Sequence, residues 1–237
     1  MTTLPEGPSP KGAALEEAAG FAGDGRSPKA LEEAAALARN DRYLSDFVEA
    51  LNMCPYAKRC RESGKLHRRV VFSRDEALAA VQAVEALPED SVEVALLIFP
   101  DEPAEGESSA HAFAAFCVDL RNRIFAAHHG DPPFYCVAFH PDLPRDLHDS
   151  HRAVQFIRRS PDPTIQLVRA SVLRSVRADK EGGSKFVDTS KMTLEQLMAV
   201  TSPLGLSDLI AEENLRTLRR ENPDRIETLL ASLRSSR

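Results

Sequence analysis

The sequence predicts an α/β or α+β fold, with a small, partly parallel sheet flanked by helices. Short β-forming runs alternate with longer helix-forming stretches between residues 66 and 178, an order typical of strand–helix–strand units. Two of the β-forming runs, 91–100 and 134–141, are almost continuously apolar, as strands buried on both faces are. The chain has 237 residues, 43% of them hydrophobic, so it can bury the core of one such domain with extensions.

Residues 1–28 are predicted to form a flexible, disordered arm, because this segment of proline, glycine and charged residues has too little apolar area to order itself. The core domain is predicted to span residues 29–180 and to begin with a helix. Its apolar residues recur at helical spacing: Leu44, Phe47, Val48 and Leu51. We expect this helix to end before Pro55, since the residue that precedes a proline avoids helical backbone angles.

The following elements alternate in type. Strands are predicted at 66–72, 91–100 and 134–141, and helices at 73–87 and 111–129. The helix at 73–87 should start with a capping box formed by Ser73 and Glu76. The segment 141–156 is expected to be irregular or to form one helical turn.

The last element of the domain is a predicted helix at 164–178, with Asp162 as its N-cap and Pro163 at its first position. The pattern then breaks at two consecutive glycines, 182–183. Residues 181–237 are predicted to be a helical C-terminal extension, with helices over 190–200 and 206–234.

The charge of the chain argues against a nucleic-acid partner. There are 30 Lys and Arg residues against 36 Asp and Glu, a formal net charge of −6, whereas nucleic-acid-binding domains usually carry a basic excess. No apolar run approaches the ~18 residues of a membrane span, and the N-terminus lacks the basic-then-apolar order of a secretory signal. We therefore expect a cytoplasmic protein without a membrane or nucleic-acid partner. The oligomeric state is not predicted.

The spacing of the cysteines does not indicate a disulfide framework or a zinc ribbon. The four cysteines are widely and irregularly spaced, with no C-x-x-C pair: Cys54, Cys60, Cys117 and Cys136. Three of them fall in apolar segments or near a helix end, where a cysteine acts as a small hydrophobic residue. Cys54 differs because it precedes a proline and an aromatic residue at the predicted end of a helix.

Three features could converge on one site, because sites in open α/β sheets form beyond the carboxyl ends of the strands. They are the Cys54-Pro55 turn, His140 at the end of the strand 134–141, and the segment 158–163. Cys54 could be a nucleophile, a ligand of a metal or of haem iron, or a packed hydrophobic residue. His140 could be a general base, an axial or zinc ligand, or a structural histidine.

The segment 158–163 also offers an anion site. Arg158, Arg159 and Ser160 precede the predicted last helix, and backbone N–H groups together with guanidinium forks bind carboxylate or phosphate. Arg169, one turn into that helix, could reach the same anion. The alternative is a solvated basic face of the helix.

Four short motifs together resemble a known family. They are LNMCPYA at 51–57, GKLHRRVVF at 64–72, VAFHPD at 137–142 and RSPDPTIQLVRASVLRSV at 159–176. In this order they resemble a bacterial family called domain of unknown function 1415, over roughly residues 44–178. The resemblance implies that these residues occupy the family's marked positions: Asn52, Cys54, Pro55, His140, Pro141, Arg159, Ser160, Pro161 and Arg169.

The chain departs from the family's pattern at two positions. Arg158 stands where the family has Asn, and Ala170 stands where it has Glu. If that Glu is catalytic, this protein has lost or altered the activity. The Cys-Pro-aromatic start also resembles small haem-dependent amine oxygenases and, in the form C-P-[FY]-A-x-R, omega-class glutathione transferases.

Three functional hypotheses follow. The first is a small-molecule oxidoreductase or oxygenase with bound haem or iron, in which His140 or Cys54 is the iron ligand. Its expected substrate-binding residues are Asn52, Arg159, Ser160 and Arg169, of which the two arginines would hold a substrate carboxylate or a haem propionate. The second is a monothiol redox or transferase enzyme, in which Lys58, Arg59 and a helix N-terminus activate Cys54. The third is a non-catalytic module that binds an anion or a partner.

Overall fold

The computed structural model describes residues 27–174 and 206–234. Its centre is a four-stranded sheet made of β1 (Leu66–Val70), β2 (Val94–Ile98), β3 (Phe134–Phe139) and β4 (Thr164–Arg169). The spatial order is β1-β2-β4-β3. β1 and β2 are parallel, and β4 is antiparallel to both of its neighbours, so β1, β2 and β3 run in one direction. The predicted class, an α+β fold with a small and partly parallel sheet, is confirmed.

Helices surround this sheet. They are α1 (Pro28–Arg42), a π-helix (Tyr43–Glu49), α2 (Ala57–Glu62), α3 (Ala77–Glu85), α4 (Glu107–Ala127), α5 (Ser150–Ile157), α6 (Leu206–Arg220) and α7 (Pro223–Arg234). Two short 3₁₀ turns, Arg74–Glu76 and Glu89–Ser91, precede α3 and β2. None of the helices in the described ranges has the length and hydrophobicity that a membrane crossing requires.

The sheet is covered on both faces, and alternate residues of β2 point to two different cores. Ala95 and Leu97 join a cluster with α3 and α4, whereas Leu96 and Ile98 join a cluster with α1, the π-helix, α5, α6 and α7. A strand buried on both faces is almost continuously apolar, which is why β2 is evident in the sequence. The predicted C-terminal helices therefore pack into the core: Leu218, Leu230 and Leu233 are buried in the second cluster.

The first helix forms as predicted, with one unusual feature at its end. Ser27 Oγ accepts a hydrogen bond from Ala30 N (3.2 Å), and Pro28 occupies the first turn, where its missing N–H costs nothing. α1 then continues directly into a π-helix that buries Tyr43 and Phe47. π-Helical turns are rare and often lie at functional sites, and this one ends five residues before Cys54.

The predicted helix at 164–178 is wrong in its first half. Residues 164–169 form β4, the strand between β2 and β3, and the chain becomes helical only from residue 170. Pro163 does not start a helix, because its carbonyl accepts from Phe99 N (2.9 Å) and extends the β2–β4 pairing. Asp162 is not a helix cap, and Arg169 does not lie on a helix.

Two smaller predictions also need correction. Ser73 makes no side-chain cap at the start of α3; Glu76 alone contributes, by accepting from Phe72 N (3.4 Å). The segment after β3 contains a two-turn helix, α5, which Asp149 caps by accepting from Arg152 N (2.9 Å). The predicted arm up to residue 26 and the predicted helix at 190–200 lie outside the described residues.

Candidate functional site

The carboxyl edge of the sheet brings two of the predicted features together. β1, β2 and β3 end at this edge, and β4 begins there because it runs in the opposite direction. His140 follows β3 directly, and the segment 158–163 leads into β4. The backbone N–H of His140 donates to the carbonyl of Arg158 (3.1 Å), so the two features are hydrogen-bonded.

A cavity of about 350 Å³ lies on the face of the sheet that α1, the π-helix and α6 cover. This volume is within the range of small-molecule sites, roughly 300–1,000 Å³. We call it the Cys54 cavity. Its walls are mainly apolar, and the polar or thiol side chains that line it are Asn40, Tyr43, Cys54, Cys60, Arg158, Ser160, Thr164, Gln166 and Asn214.

Cys54 is placed at this cavity by the tight turn that follows the π-helix. Met53 N donates to Val48 O (2.8 Å), and Ala57 N donates to Cys54 O (3.2 Å), which leads the chain into α2. Asn52 makes the turn possible with a left-handed backbone (φ +50°), a conformation that asparagine tolerates better than most residues. The Asn52 side chain is exposed and does not line the Cys54 cavity, so the structure does not place it for substrate binding.

The expected activation of Cys54 by basic neighbours does not match their placement. Lys58 pairs with Glu62 (3.9 Å), and Arg59 pairs with Glu93 (3.1 Å), so both cations are directed at carboxylates on the surface. Burial raises the pKa of Cys60 and Cys117 to about 11 and that of Cys136 to about 12. These three thiols therefore stay protonated near pH 7, as expected of packed cysteines.

Ser160 belongs to the Cys54 cavity and is held by the loop that starts β4. It is buried, and its Oγ donates to the carbonyl of Asp162 (2.6 Å), as does Thr164 Oγ1 (2.9 Å). Neither hydroxyl hydrogen is therefore available to a ligand while these bonds last. The predicted position of Ser160 in a binding site is compatible with the structure.

The loop at Asp162 is fixed by Arg39, a residue that lies outside the four sequence motifs. Arg39 of α1 donates to both carboxylate oxygens of Asp162, through Nε (2.8 Å) and Nη2 (2.9 Å), and both side chains are 1% exposed. A signal was present, because Ala36, Arg39 and Tyr43 are spaced as the buried face of a helix is. A charged residue in such a stripe requires a buried partner.

Asn40 follows Arg39 in α1 and is one of the residues that line the Cys54 cavity. It is 2% exposed, and its Oδ1 has no hydrogen-bond partner in the described part of the chain. Such an acceptor is rare in a folded protein, because burial without a hydrogen bond is costly.

Arg158 is the cation of the Cys54 cavity. Its guanidinium makes no hydrogen bond or ion pair with the side chains and carbonyls of residues 27–174 and 206–234, although desolvation by burial is strong enough to lower its pKa. Arginine nevertheless remains protonated at physiological pH. Because Arg158 stands beside the edge strand β3, it also lines a second cavity, on the opposite face of the sheet.

Arg159, the predicted substrate ligand, is used within the protein. Its Nε donates to the carbonyl of Pro141 (2.9 Å), its Nη1 pairs with Glu227 of α7, and its guanidinium lies over the ring of Phe156. These contacts hold α7 against the end of β3. Of the two neighbouring arginines expected at the anion site, Arg158 and not Arg159 lines the cavity.

Arg169 cannot join the same anion site. It ends β4 at the opposite edge of the sheet, where its Nε donates to Val92 O (2.6 Å) and its guanidinium lies 4.6 Å from the centre of the Phe134 ring. The prediction assumed a helix that would bring Arg169 back towards Arg159, and the strand carries it away instead.

His140 is buried, and both of its ring nitrogens are engaged. Nδ1 accepts from Asp142 N (3.1 Å), so the proton of the neutral ring is on Nε2, which lies 3.0 Å from Pro103 O and 3.2 Å from Ser109 Oγ. Burial is the largest influence on its pKa and lowers it. The ring ties the end of β3 to the loop after β2 and offers no free lone pair to a metal.

His140 does not meet Cys54 in one cavity. It lines the second cavity, of about 280 Å³, together with Cys117, Cys136 and Arg121. Within the ranges 27–174 and 206–234, no three His, Cys, Asp or Glu side chains are grouped so that they could hold a metal ion. The contacts of His140 are therefore those of a structural histidine. Of the two predicted iron ligands, Cys54 is the one that lines the Cys54 cavity.

The neutral state of His140 predicts a pH-dependent stability. Its folded pKa is below the ordinary value of 6.5, so the unfolded chain binds more protons as the pH falls below 6.5. The free energy of unfolding should therefore decrease from about pH 7.5 to about pH 5.5, and the decrease should be smaller in His140→Gln. Urea unfolding at both pH values tests this, with the exposed His151→Gln as the control. An unchanged pH dependence in His140→Gln would contradict it.

Comparison with known proteins gives a family but no characterised relative. A family model described as "Protein of unknown function (DUF1415)" matches residues 35–202, more than half of the chain. No curated protein and no solved structure matches. The matched segment contains Asn40, Cys54, Arg158 and Ser160, and it ends before α6, which supplies Asn214 to the Cys54 cavity. The chain thus belongs to the DUF1415 family, as its four motifs indicated.

Proposed function

We propose that the protein binds a small molecule with an apolar body and a carboxylate, and that it does so in the Cys54 cavity. The observation that carries this proposal is the Arg158 guanidinium, a half-buried cation without a partner among the described residues. A desolvated charge is unfavourable unless it is paired. A carboxylate that enters the cavity supplies the missing charge and accepts two parallel hydrogen bonds from the guanidinium fork.

The rest of the cavity suits the apolar body of such a molecule. The aliphatic and aromatic side chains of its wall are Leu44, Val48, Met53, Leu66, Val94, Leu96, Phe139, Val154, Ile157 and Ile210. No aspartate or glutamate is found among the described residues that line it, so the charge of Arg158 has no competing carboxylate there. The binding of such an acid is stabilised both by the burial of its apolar body and by the ion pair with Arg158.

Calorimetric titration with matched ligands tests the proposal. The panel contains aryl- and alkyl-substituted acetates and propionates, each beside the alcohol of the same carbon skeleton. We expect at least one acid to bind more tightly than its alcohol, and Arg158→Met to weaken that acid by about thirty-fold or more, as the loss of a buried charge partner does. Affinities that are equal for acids and alcohols, or unchanged in Arg158→Met, would reject it.

The neighbouring arginine provides the matched control. Arg159→Met removes the bonds to Pro141 and Glu227 but leaves the wall of the cavity intact. It should therefore lower the free energy of unfolding while the affinity for the acid is kept. Arg158→Met should weaken the binding of the acid and should not lower the free energy of unfolding, because it removes an unpaired cation. This pair of variants separates anion binding from the general loss of a positive charge.

As a second function, we propose that Cys54 acts on the bound acid, since it lines the same cavity as Arg158. An oxidoreductase with Cys54-bound haem or iron is one form, and haem iron would supply oxygen chemistry when bound. A monothiol enzyme in the cytoplasm, where thiols stay reduced, is the other. Addition of haemin to the protein distinguishes them: a Soret band that changes in Cys54→Ser supports iron. A colourless protein whose Cys54 is protected from iodoacetamide by the acid supports the thiol.

A further inference from the structure

The buried side-chain amide of Asn40 indicates a second polar contact for the ligand. This inference rests on the proposed function. Asn40 is 2% exposed, lines the Cys54 cavity, and leaves its Oδ1 without a hydrogen bond. Several other polar side chains of the cavity already donate hydrogen bonds within the protein. Ser160 and Thr164 donate to the carbonyl of Asp162, and Asn214 Nδ2 donates to Met53 O (2.9 Å). Among the described residues that line the cavity, Asn40 Oδ1 is the buried acceptor that still requires a donor.

The cavity also restricts the charge of that donor. An ammonium group would satisfy the Asn40 oxygen, but a buried ammonium needs a carboxylate partner as well. The described residues that line the cavity include no Asp or Glu, and the charged side chain among them is the cation Arg158. A neutral hydroxyl or amide N–H satisfies Asn40 without this cost.

We infer that the natural ligand is a hydroxy-carboxylic acid or an N-acylated acid with an apolar body, bound through its carboxylate at Arg158 and its neutral donor at Asn40. Free amino acids should bind more weakly, because the described residues of the wall offer no counter-ion to their ammonium group. A site built to bond a donor discriminates strongly against the analogue without it, because the protein's acceptor is then left unpaired. The inference therefore predicts selectivity between ligands that differ by a single atom or group.

A panel of matched ligands tests it on the full-length protein: 3-phenylpropionate, its monohydroxylated derivatives, and phenylalanine. The hydroxyl is moved along the skeleton, so that one isomer can reach Asn40. We expect one hydroxy acid to bind roughly ten- to hundred-fold more tightly than 3-phenylpropionate, and phenylalanine to bind more weakly than both. In Asn40→Leu, which keeps the size of the side chain, the advantage of the hydroxy acid should disappear, whereas the effect of Arg158→Met should persist.

Asn40→Asp provides a second variant of nearly unchanged shape. Its carboxylate can pair with an ammonium, so phenylalanine should gain affinity relative to 3-phenylpropionate. Acids that bind through Arg158 without any preference for a hydroxyl, or with the same preference in Asn40→Leu, would overturn the inference. A bridging water would then be the partner of Asn40, and the proposed function would stand. Absence of any binding that depends on Arg158 would overturn both.

Discussion

Replacing Asp162 with asparagine should lower the free energy of unfolding by about 3–5 kcal/mol, the usual cost of leaving one member of a buried ion pair alone. Arg39 and Asp162 are each 1% exposed, and they are joined by two hydrogen bonds, of 2.8 and 2.9 Å. Without the carboxylate, the Arg39 guanidinium faces a neutral amide and keeps its ion pair with the partly exposed Glu32 (2.8 Å). Urea unfolding of Asp162→Asn beside the wild type measures the loss.

The double variant Arg39→Met/Asp162→Asn shows whether the loss comes from the stranded charge. It should be more stable than Asp162→Asn alone, because removing both charges also removes the desolvation penalty. Glu212→Gln, which breaks an exposed pair within α6 (3.6 Å), is the control and should change stability by less than about 1 kcal/mol. An Asp162→Asn protein as stable as the wild type would show that the pair does not fix the start of β4.

The second large effect is expected from α7, which lies beyond the residues that the family model matches. Leu233 is fully buried in the cluster that joins the sheet to the helices around the Cys54 cavity. Leu233→Ala should therefore reduce the free energy of unfolding by about 2–5 kcal/mol, since it removes buried methyl groups and leaves a cavity. Far-ultraviolet circular dichroism during urea unfolding measures this change.

An exposed position on the same helix provides the comparison. Arg225→Ala alters charge and length on α7 but touches no buried cluster, so it should change stability by about 0.5 kcal/mol or less. Equal effects of Leu233→Ala and Arg225→Ala would mean that α7 contributes little to the core. A large difference would show that the family domain depends on helices outside its matched segment.

The parts of the fold that the sequence predicts best are those with one clear pattern. β2 and β3 are evident because a nearly continuous apolar run between breakers fits a short buried strand. The sequence of β4 predicts a helix instead, because Ile165 and Val168 are spaced like a helical stripe that continues past residue 170. A strand of six residues buried on both sides has no alternation that could distinguish it from a helix.

The sequence predicts where several candidate residues lie on the sheet, but not which of their side chains line the cavity. The sequence located the carboxyl edge, because His140 and the segment 158–163 follow or precede buried strands. The sequence does not show which of Arg158 and Arg159 lines the cavity. The two side chains leave the end of a helix in different directions, and the backbone conformation there decides those directions. Arg39 and Asn40 could have been suspected from their position in the apolar stripe of α1. The pairing of Arg39 with Asp162 and the position of Asn40 at a cavity depend on the tertiary structure, which the local sequence pattern does not reveal.

The position of β4 has a consequence for the order in which the sheet can assemble. β4 is a central strand, yet it is the last of the described strands to leave the ribosome. Its pairing with β2 joins Val94 to Val168, so a long stretch of chain must close before the contact forms. Until then, β2 and β3 each present an unpaired edge, and such edges attract other chains. A nascent chain that stalls before residue 164 therefore exposes the middle of its sheet to misassembly.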